Sequence, residues 1–436
     1  MHSVIEFLSL YFDTLISTIR SWIEYVSPRT PYLSLIKNLN TQHASVHKLQ
    51  YMIHEDGAGS WPPQASYRDS WPPELQPYHD TFVKLAPLVP VLDPSMEPDI
   101  NAARRDEYRQ RVQKLLEQSI DVAEVTSLLS AAVGKESSVM TNEAFNGFYA
   151  CISALRHAYR WGTVPVVKIV QEEKIVKFPT EIDVPWDFIC QRYGIESGGG
   201  NTMSNFHCNF DKKNGRVIYA INGSLPEPIP SAEYNLIYAF TEPERKALPT
   251  YYHIVQSIIC YEENRINECI QHMDKIIPHL KSAFKIYYEY IVDSKIPYSV
   301  FTAYIQGFHG WAAGEIINGE YVEYDGTSGA NLVMFVMLDY YLELKPFLKE
   351  DDFPKYFSSA QRSFLASIKA NSFRTTSTKA GHLDVMKQFE TLAKQLRVCF
   401  SIHIEISFLT FLTCRLSAVH IESVLGNISV SSDLKE

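Results

Sequence analysis

Apolar residues recur along much of this chain at spacings of three and four, a period that predicts helices. Ile5, Leu8, Phe12, Leu15, Ile19, Trp22 and Val26 form one stripe of an amphipathic N-terminal helix. Further helices are predicted over Tyr78–Leu88, Ile100–Gln118 and Asn142–Arg160. In the last of these, Phe145, Phe148, Ile152, Leu155 and Tyr159 fall on one side. The second half is more regular. Helical spacing runs through Pro249–Asn267, Ile270–Val292, Tyr298–Phe308, Ala330–Leu344, Ser358–Ala370 and an unusually long Leu383–Leu416.

The interruptions also carry information. Residues 55–77 hold Gly57, Gly59, Trp61-Pro62-Pro63 and Trp71-Pro72-Pro73, and read as an irregular connector because each proline blocks a helix. Between Pro165 and Phe210 the period is lost, and connections, short helices and a small β element are expected. Asn209–Ile221 reads as a hairpin turning at Asn214-Gly215.

Composition narrows the function classes. A chain of 436 residues with 46% hydrophobic and 13% aromatic content can bury a large core. A net charge of −10 and no clustered Lys/Arg argue against nucleic acid as a partner. The seven cysteines form no CxxC pair and match neither a zinc site nor a disulfide framework, which suits a reducing cytoplasm. Glu6, Asp13, Arg20 and Glu24 interrupt residues 1–26, so packing on the protein itself is favoured over contact with a membrane.

Common enzyme motifs fail. Gly198-Gly199-Gly200 is not followed by the Gly-Lys-Ser/Thr of a phosphate loop, and no GxSxG or HExxH occurs. His272 and His279 share a helix face by spacing, lack a third ligand nearby in sequence, and are expected on the solvent side. His403 stands between apolar residues in Phe400-Ser401-Ile402-His403-Ile404. A histidine so placed suits either a hydrogen-bonded core residue or the single proximal ligand of a haem iron.

Four segments, taken in order, resemble the indoleamine 2,3-dioxygenase family of haem enzymes. They are Ala158-Tyr159-Arg160-Trp161-Gly162 with Phe178-Pro179 through Val184-Pro185; Gly310-Trp311 with Gly319–Gly326 and Thr327-Ser328-Gly329-Ala330-Asn331; Tyr356 through Gln361-Arg362-Ser363-Phe364-Leu365; and Ser401-Ile402-His403. The resemblance covers roughly residues 75–410. It implies an all-α protein with an N-terminal extension and connector over 1–60, a smaller domain over 61–225 and a larger helical haem domain over 226–436. It also implies haem b as cofactor, His403 as the iron ligand, and O₂ and an indole as reactants. Tyr251 and Phe301 then align with pocket aromatics. Thr327, Ser328 and Gly329 align with a loop over the haem edge, where Ser328 would touch the cofactor. His253 is the candidate distal donor.

The departures from the family pattern decide the expected substrate. Where the family has an arginine for the substrate carboxylate, this chain has Ile305. An arginine forms paired charge-assisted bonds with a carboxylate; isoleucine forms none. A decarboxylated, esterified or cyclised indole is therefore expected rather than free tryptophan. Where the family pairs an arginine with a haem propionate, this chain has Phe400, and Arg397 one turn earlier is the candidate replacement. The leading expectation is a dioxygenase opening the indole C2–C3 bond. The rivals are a haem enzyme that transfers one oxygen atom or rearranges the indole, and a haem-binding sensor without turnover.

Overall fold

The computed structural model describes residues 31–39, 42–89, 97–134, 139–162, 173–305, 313–324, 326, 331–346 and 348–410; for 397–410 it describes the backbone alone. The described residues are predominantly helical, with two small two-stranded antiparallel sheets, so the fold class is all-α. In chain order the main helices are α1 (Pro31–Lys37), α2 (Ala44–Glu55), α3 (Gln76–Leu85), α4 (Pro98–Ser119), α5 (Val122–Val133), α6 (Asn142–Trp161) and α7 (Thr180–Tyr193). There follow α8 (Ile229–Glu262), α9 (Ile266–Tyr290), α10 (Val333–Tyr341), α11 (Ser359–Asn371), α12 (Arg374–Lys379) and α13 (Leu383–Thr410).

Two cores organise these helices. The smaller one gathers α3 to α7 around α6, whose side chains are buried from Ala144 to Trp161. Helix α6 has clear ends: the Thr141 hydroxyl accepts from the Ala144 amide, and Gly162 takes a left-handed φ of 59° just past the last turn. The larger core joins α8, α9, α10, α11 and α13. It also takes in Ile36, Val46, Leu49, Met52 and Ile53. Within 1–60, α1 packs on this core through Ile36 and α2 through the stripe Val46, Leu49, Met52 and Ile53. A third, smaller cluster lies around Phe206, Phe301 and Ile305.

Several boundaries differ from the sequence pattern for identifiable reasons. Helix α8 starts at Ile229 rather than Pro249 and accommodates Pro243 and Pro249 internally. Helix α7 runs 14 residues through a stretch expected to be mostly connection, with Pro185 inside its first turns. The expected hairpin at 209–221 forms between β1 (Phe210–Asp211) and β2 (Arg216–Val217). A second hairpin pairs β3 (Gly314–Ile317) with β4 (Glu320–Glu323). Its turn residues Asn318 and Gly319 have φ of 53° and 86°, the double left-handed geometry of a tight hairpin turn. Among the described residues, no helix is long and apolar enough to cross a membrane.

Candidate functional site

The site assembles where two π-turns face one apolar cluster. Each π-turn adds a residue to a helical turn, a device common at functional sites. One spans Met203–His207 and sends Phe206 into the cluster. The other, Phe301–Ile305, continues the helical turn Tyr298–Val300 and supplies Phe301 and Ile305. Helix α8 contributes Leu236 and Ile237. Phe206 stacks on Phe240 at 5.2 Å between ring centroids, and Phe210 packs against Tyr234 and Tyr238. Ile305 is 1% exposed.

Polar groups fix this cluster from behind. Glu233 of α8 accepts from the amides of Ile221 and Asn222, each at 3.0 Å, and the Asn222 side chain donates to the Tyr304 carbonyl at 3.1 Å. The Asn235 amide donates to the Lys295 carbonyl at 3.1 Å. Burial pushes the Glu233 carboxyl up to about 7, although its three hydrogen bonds from Ile221 and Asn222 pull the other way. The second π-turn is therefore pinned to α8 by a buried carboxyl and two amides.

A second polar group lies beside the first π-turn. Thr202 donates to the Asn331 carbonyl at 3.2 Å. Asn331 is 1% exposed, and neither atom of its side-chain amide has a hydrogen-bond partner. Burying an amide without partners is costly, so this residue is a conspicuous unmet demand. Nearby, Ser153 donates to Asn205 at 2.7 Å and Ser204 to the same oxygen at 3.0 Å. The Gly198-Gly199-Gly200 run leads into this network. A Cβ at Gly198 would sit 2.1 Å from the Tyr324 ring, so the glycine permits close packing rather than phosphate binding. Arg156 secures the same run, donating to the Gly198 carbonyl and pairing with Asp183.

Tyr251 and His253 lie elsewhere. Two residues apart on a helix, they point about 200° from each other. Tyr251 faces the larger core, where its hydroxyl donates to Glu244 at 2.6 Å and its ring stacks on Phe364. Glu244 also accepts from the Trp61 indole at 3.0 Å and the Met334 amide at 2.9 Å, closing the start of α10. Burial raises the Glu244 carboxyl above its ordinary value against those bonds. His253 faces α1 and α9. Its Nδ1 lies 2.9 Å from His272 Nδ1, and its Nε2 lies 3.2 Å from the Tyr32 hydroxyl. The same hydroxyl lies 3.3 Å from His279 Nε2. The expected solvent-side placement of His272 and His279 is thus corrected: both are half-buried and meet His253, a partner on another helix that spacing alone does not reveal.

Of the residues singled out from sequence, the structure brings Phe301 and Ile305 together and sets Tyr251 and His253 apart from them. Arg397 and His403 lie on the backbone of α13, and their side chains are outside the described residues. Thr327, Ser328 and Gly329 also lie outside the described residues. Phe206 and Asn331 were not foreseen; the signal for Phe206 was its place in a stretch without period. Among the described residues, no group of three or more His, Cys, Asp or Glu side chains is arranged to hold a metal ion. No protein-family model and no curated protein matches the chain.

Proposed function

We propose that the protein is a haem-dependent dioxygenase acting on an indole that lacks a free carboxylate. The observation that supports this most directly is Ile305. It is buried in one apolar cluster with Phe301 and Phe206, at the position where the resembling family carries its carboxylate-binding arginine. An aromatic and aliphatic wall suits the flat apolar face of an indole and gives a carboxylate no partner.

The cofactor reading rests on the sequence segments ending at His403 and on one structural feature. A porphyrin brings its own equatorial nitrogens, so a single protein imidazole suffices. His403 would be that ligand, with Arg397 pairing with a haem propionate and Ser328 in the loop over the haem edge. The feature is Asn331, whose unpaired buried amide lies two residues after the Thr327–Gly329 segment that the resemblance sets over the haem edge. A buried amide in want of a partner fits a polar cofactor edge or a substrate heteroatom. When bound, haem would supply the oxygen chemistry. The protein's own work is positioning. Phe301 and Ile305 orient the indole and exclude water, and the Glu233 and Asn222 bonds hold the turn that carries them.

The test is the absorbance spectrum of the haem-reconstituted protein, ferric and ferrous-CO, beside His403→Ala. The wild type is expected to take up one histidine-ligated haem that the variant loses. An unchanged variant spectrum, or no uptake by wild type, overturns the reading. Product mass from an indole panel then separates two added oxygen atoms from one or none. Wild type that binds haem but consumes no oxygen with any indole under reducing conditions would favour the sensor reading.

A further inference from the structure

Helix α1 is joined to the α8–α9 pair by a hydrogen-bonded chain of four side chains: His272, His253, Tyr32 and His279, at 2.9, 3.2 and 3.3 Å. His253 is 2% exposed; the other two rings are half-buried. The rings also pack closely, with His253 stacked on His279 at 5.6 Å and Tyr32 edge-on to both. Nothing in the proposed oxygenase chemistry uses these groups.

The proton count of this chain is constrained. Each link needs one hydrogen, and the phenol brings one. With all rings neutral, two arrangements use every group. In one, His279 donates to Tyr32, Tyr32 to His253 and His253 to His272. In the other, every donor is reversed. One added proton fits either arrangement, because an end ring can carry it on its outer nitrogen. A second does not fit as well. Both end rings would then donate inward, Tyr32 would accept twice and turn its own hydrogen away, and two cations would flank His253.

The neighbours do little to relieve that charge. Helix α9 brings Lys275 near all three rings, and Arg265 and Glu268 near His272. Asp274 on the same helix is bound by Gln388 of α13 at 2.7 Å. Helix α8 adds Tyr252, packed against Tyr32 and His253, and helix α1 adds Tyr32.

We propose that this chain is an acid-released latch: it holds α1 on the helix pair α8–α9 while the three histidines are neutral and lets it go when they take up protons. Burial, then the neighbouring cations, hold all three rings below the ordinary histidine value, His253 down to about 3. The docked form therefore binds fewer protons than the released one. Its contribution is full above the ordinary value and is lost as pH falls below it. For one ring held neutral, release becomes about tenfold more favourable between about pH 7.5 and 5.5, and more if a second ring joins.

Hydrogen exchange on the full chain tests this, read over residues 31–39 and corrected for intrinsic rates. Wild type is expected to lose protection there by about tenfold or more between those pH values, while 254–260 in α8 stays protected. The double variant His272→Gln/His279→Gln is expected to lose most of that pH dependence. Tyr32→Phe is expected to open the segment at neutral pH. The latch is overturned if wild type shows no acid loss over 31–39. It is equally overturned if the double variant loses protection as wild type does, or if 254–260 opens in parallel. None of these readouts depends on haem or turnover.

Discussion

Single residues in this protein do work that their sequence positions conceal. Glu244 is the clearest case, a buried carboxyl that answers Tyr251 from two turns along its own helix and Trp61 and Met334 from two distant segments. Glu244→Ala would leave the Trp61 indole, the Tyr251 hydroxyl and the Met334 amide without a partner. The expected loss is about 3–5 kcal/mol in unfolding free energy, read from urea midpoints. Ile305 offers a complementary test. Ile305→Arg puts an unpaired charge among Phe206, Phe301 and Ile237, and is expected to destabilise the free protein by about 3 kcal/mol or more. If the indole reading holds, a carboxylated indole should restore the melting temperature of that variant more than that of wild type. Equal shifts would count against it.

Elements were legible where apolar residues recur at helical spacing and the ends are marked. Helix α6 announces itself through Phe145, Phe148, Ile152 and Leu155, with Thr141 and Gly162 at its ends. Helix α11 is similar: Ser358 caps it, and Gln361 completes a reciprocal capping box. The Ser358 hydroxyl also donates to Asp56, tying α11 to the end of α2. Ser358→Ala should therefore cost more than an ordinary cap, about 2 kcal/mol or more, in chemical denaturation. Illegible elements share a different physics. Pro249 reads as a helix start, yet α8 runs on through it and through Pro243, as α7 does through Pro185, because tertiary packing outweighs the lost hydrogen bond. The β3–β4 hairpin leaves Ile316, Ile317, Tyr321 and Val322 exposed, so it has no in-out alternation to read. The apolar wall was half visible: Phe301 and Ile305 came from motif order, while Phe206 reaches them only through the fold. Likewise His253 meets His272 and His279 because two helices pack, which no spacing rule within one helix can show.

At the scale of the molecule, the buried carboxyls of Asp56 and Glu233 give stability a slope with pH. Burial is the main cause in both, and both are pushed up to about 7. The folded state therefore binds more protons than the unfolded one between about pH 4 and 7. Their contribution is fullest in the protonated form and is lost as pH rises through that window. Buried His207, held down to about 3, and Lys212, held down to about 7, give slopes of the opposite sign, so the two carboxyls are read by difference: relative to wild type, the urea midpoint of Asp56→Asn with Glu233→Gln is expected to rise between about pH 5.5 and 8. The histidine chain adds to the opposing slope below the ordinary histidine value, in global unfolding as well as in release of α1, and a site-resolved measurement separates the two. This contrast is also why the smaller and larger cores deserve separate probes: Asp56 joins them through Asn146, whose amide donates to its carbonyl at 2.8 Å.

The paired π-turns have a consequence for how this chain can change. A π-turn is an ordinary helix carrying one surplus residue. Deleting Thr302 or Ala303 would let the Tyr298–Ile305 segment relax into a regular α-helix, and the residues on either side would keep their facing, because the wide turn alone absorbs the surplus residue. Phe301 and Ile305 would stay on one face of the helix at regular spacing. One codon gained in a straight ancestral helix could thus have created the turn without disturbing the helix that precedes it.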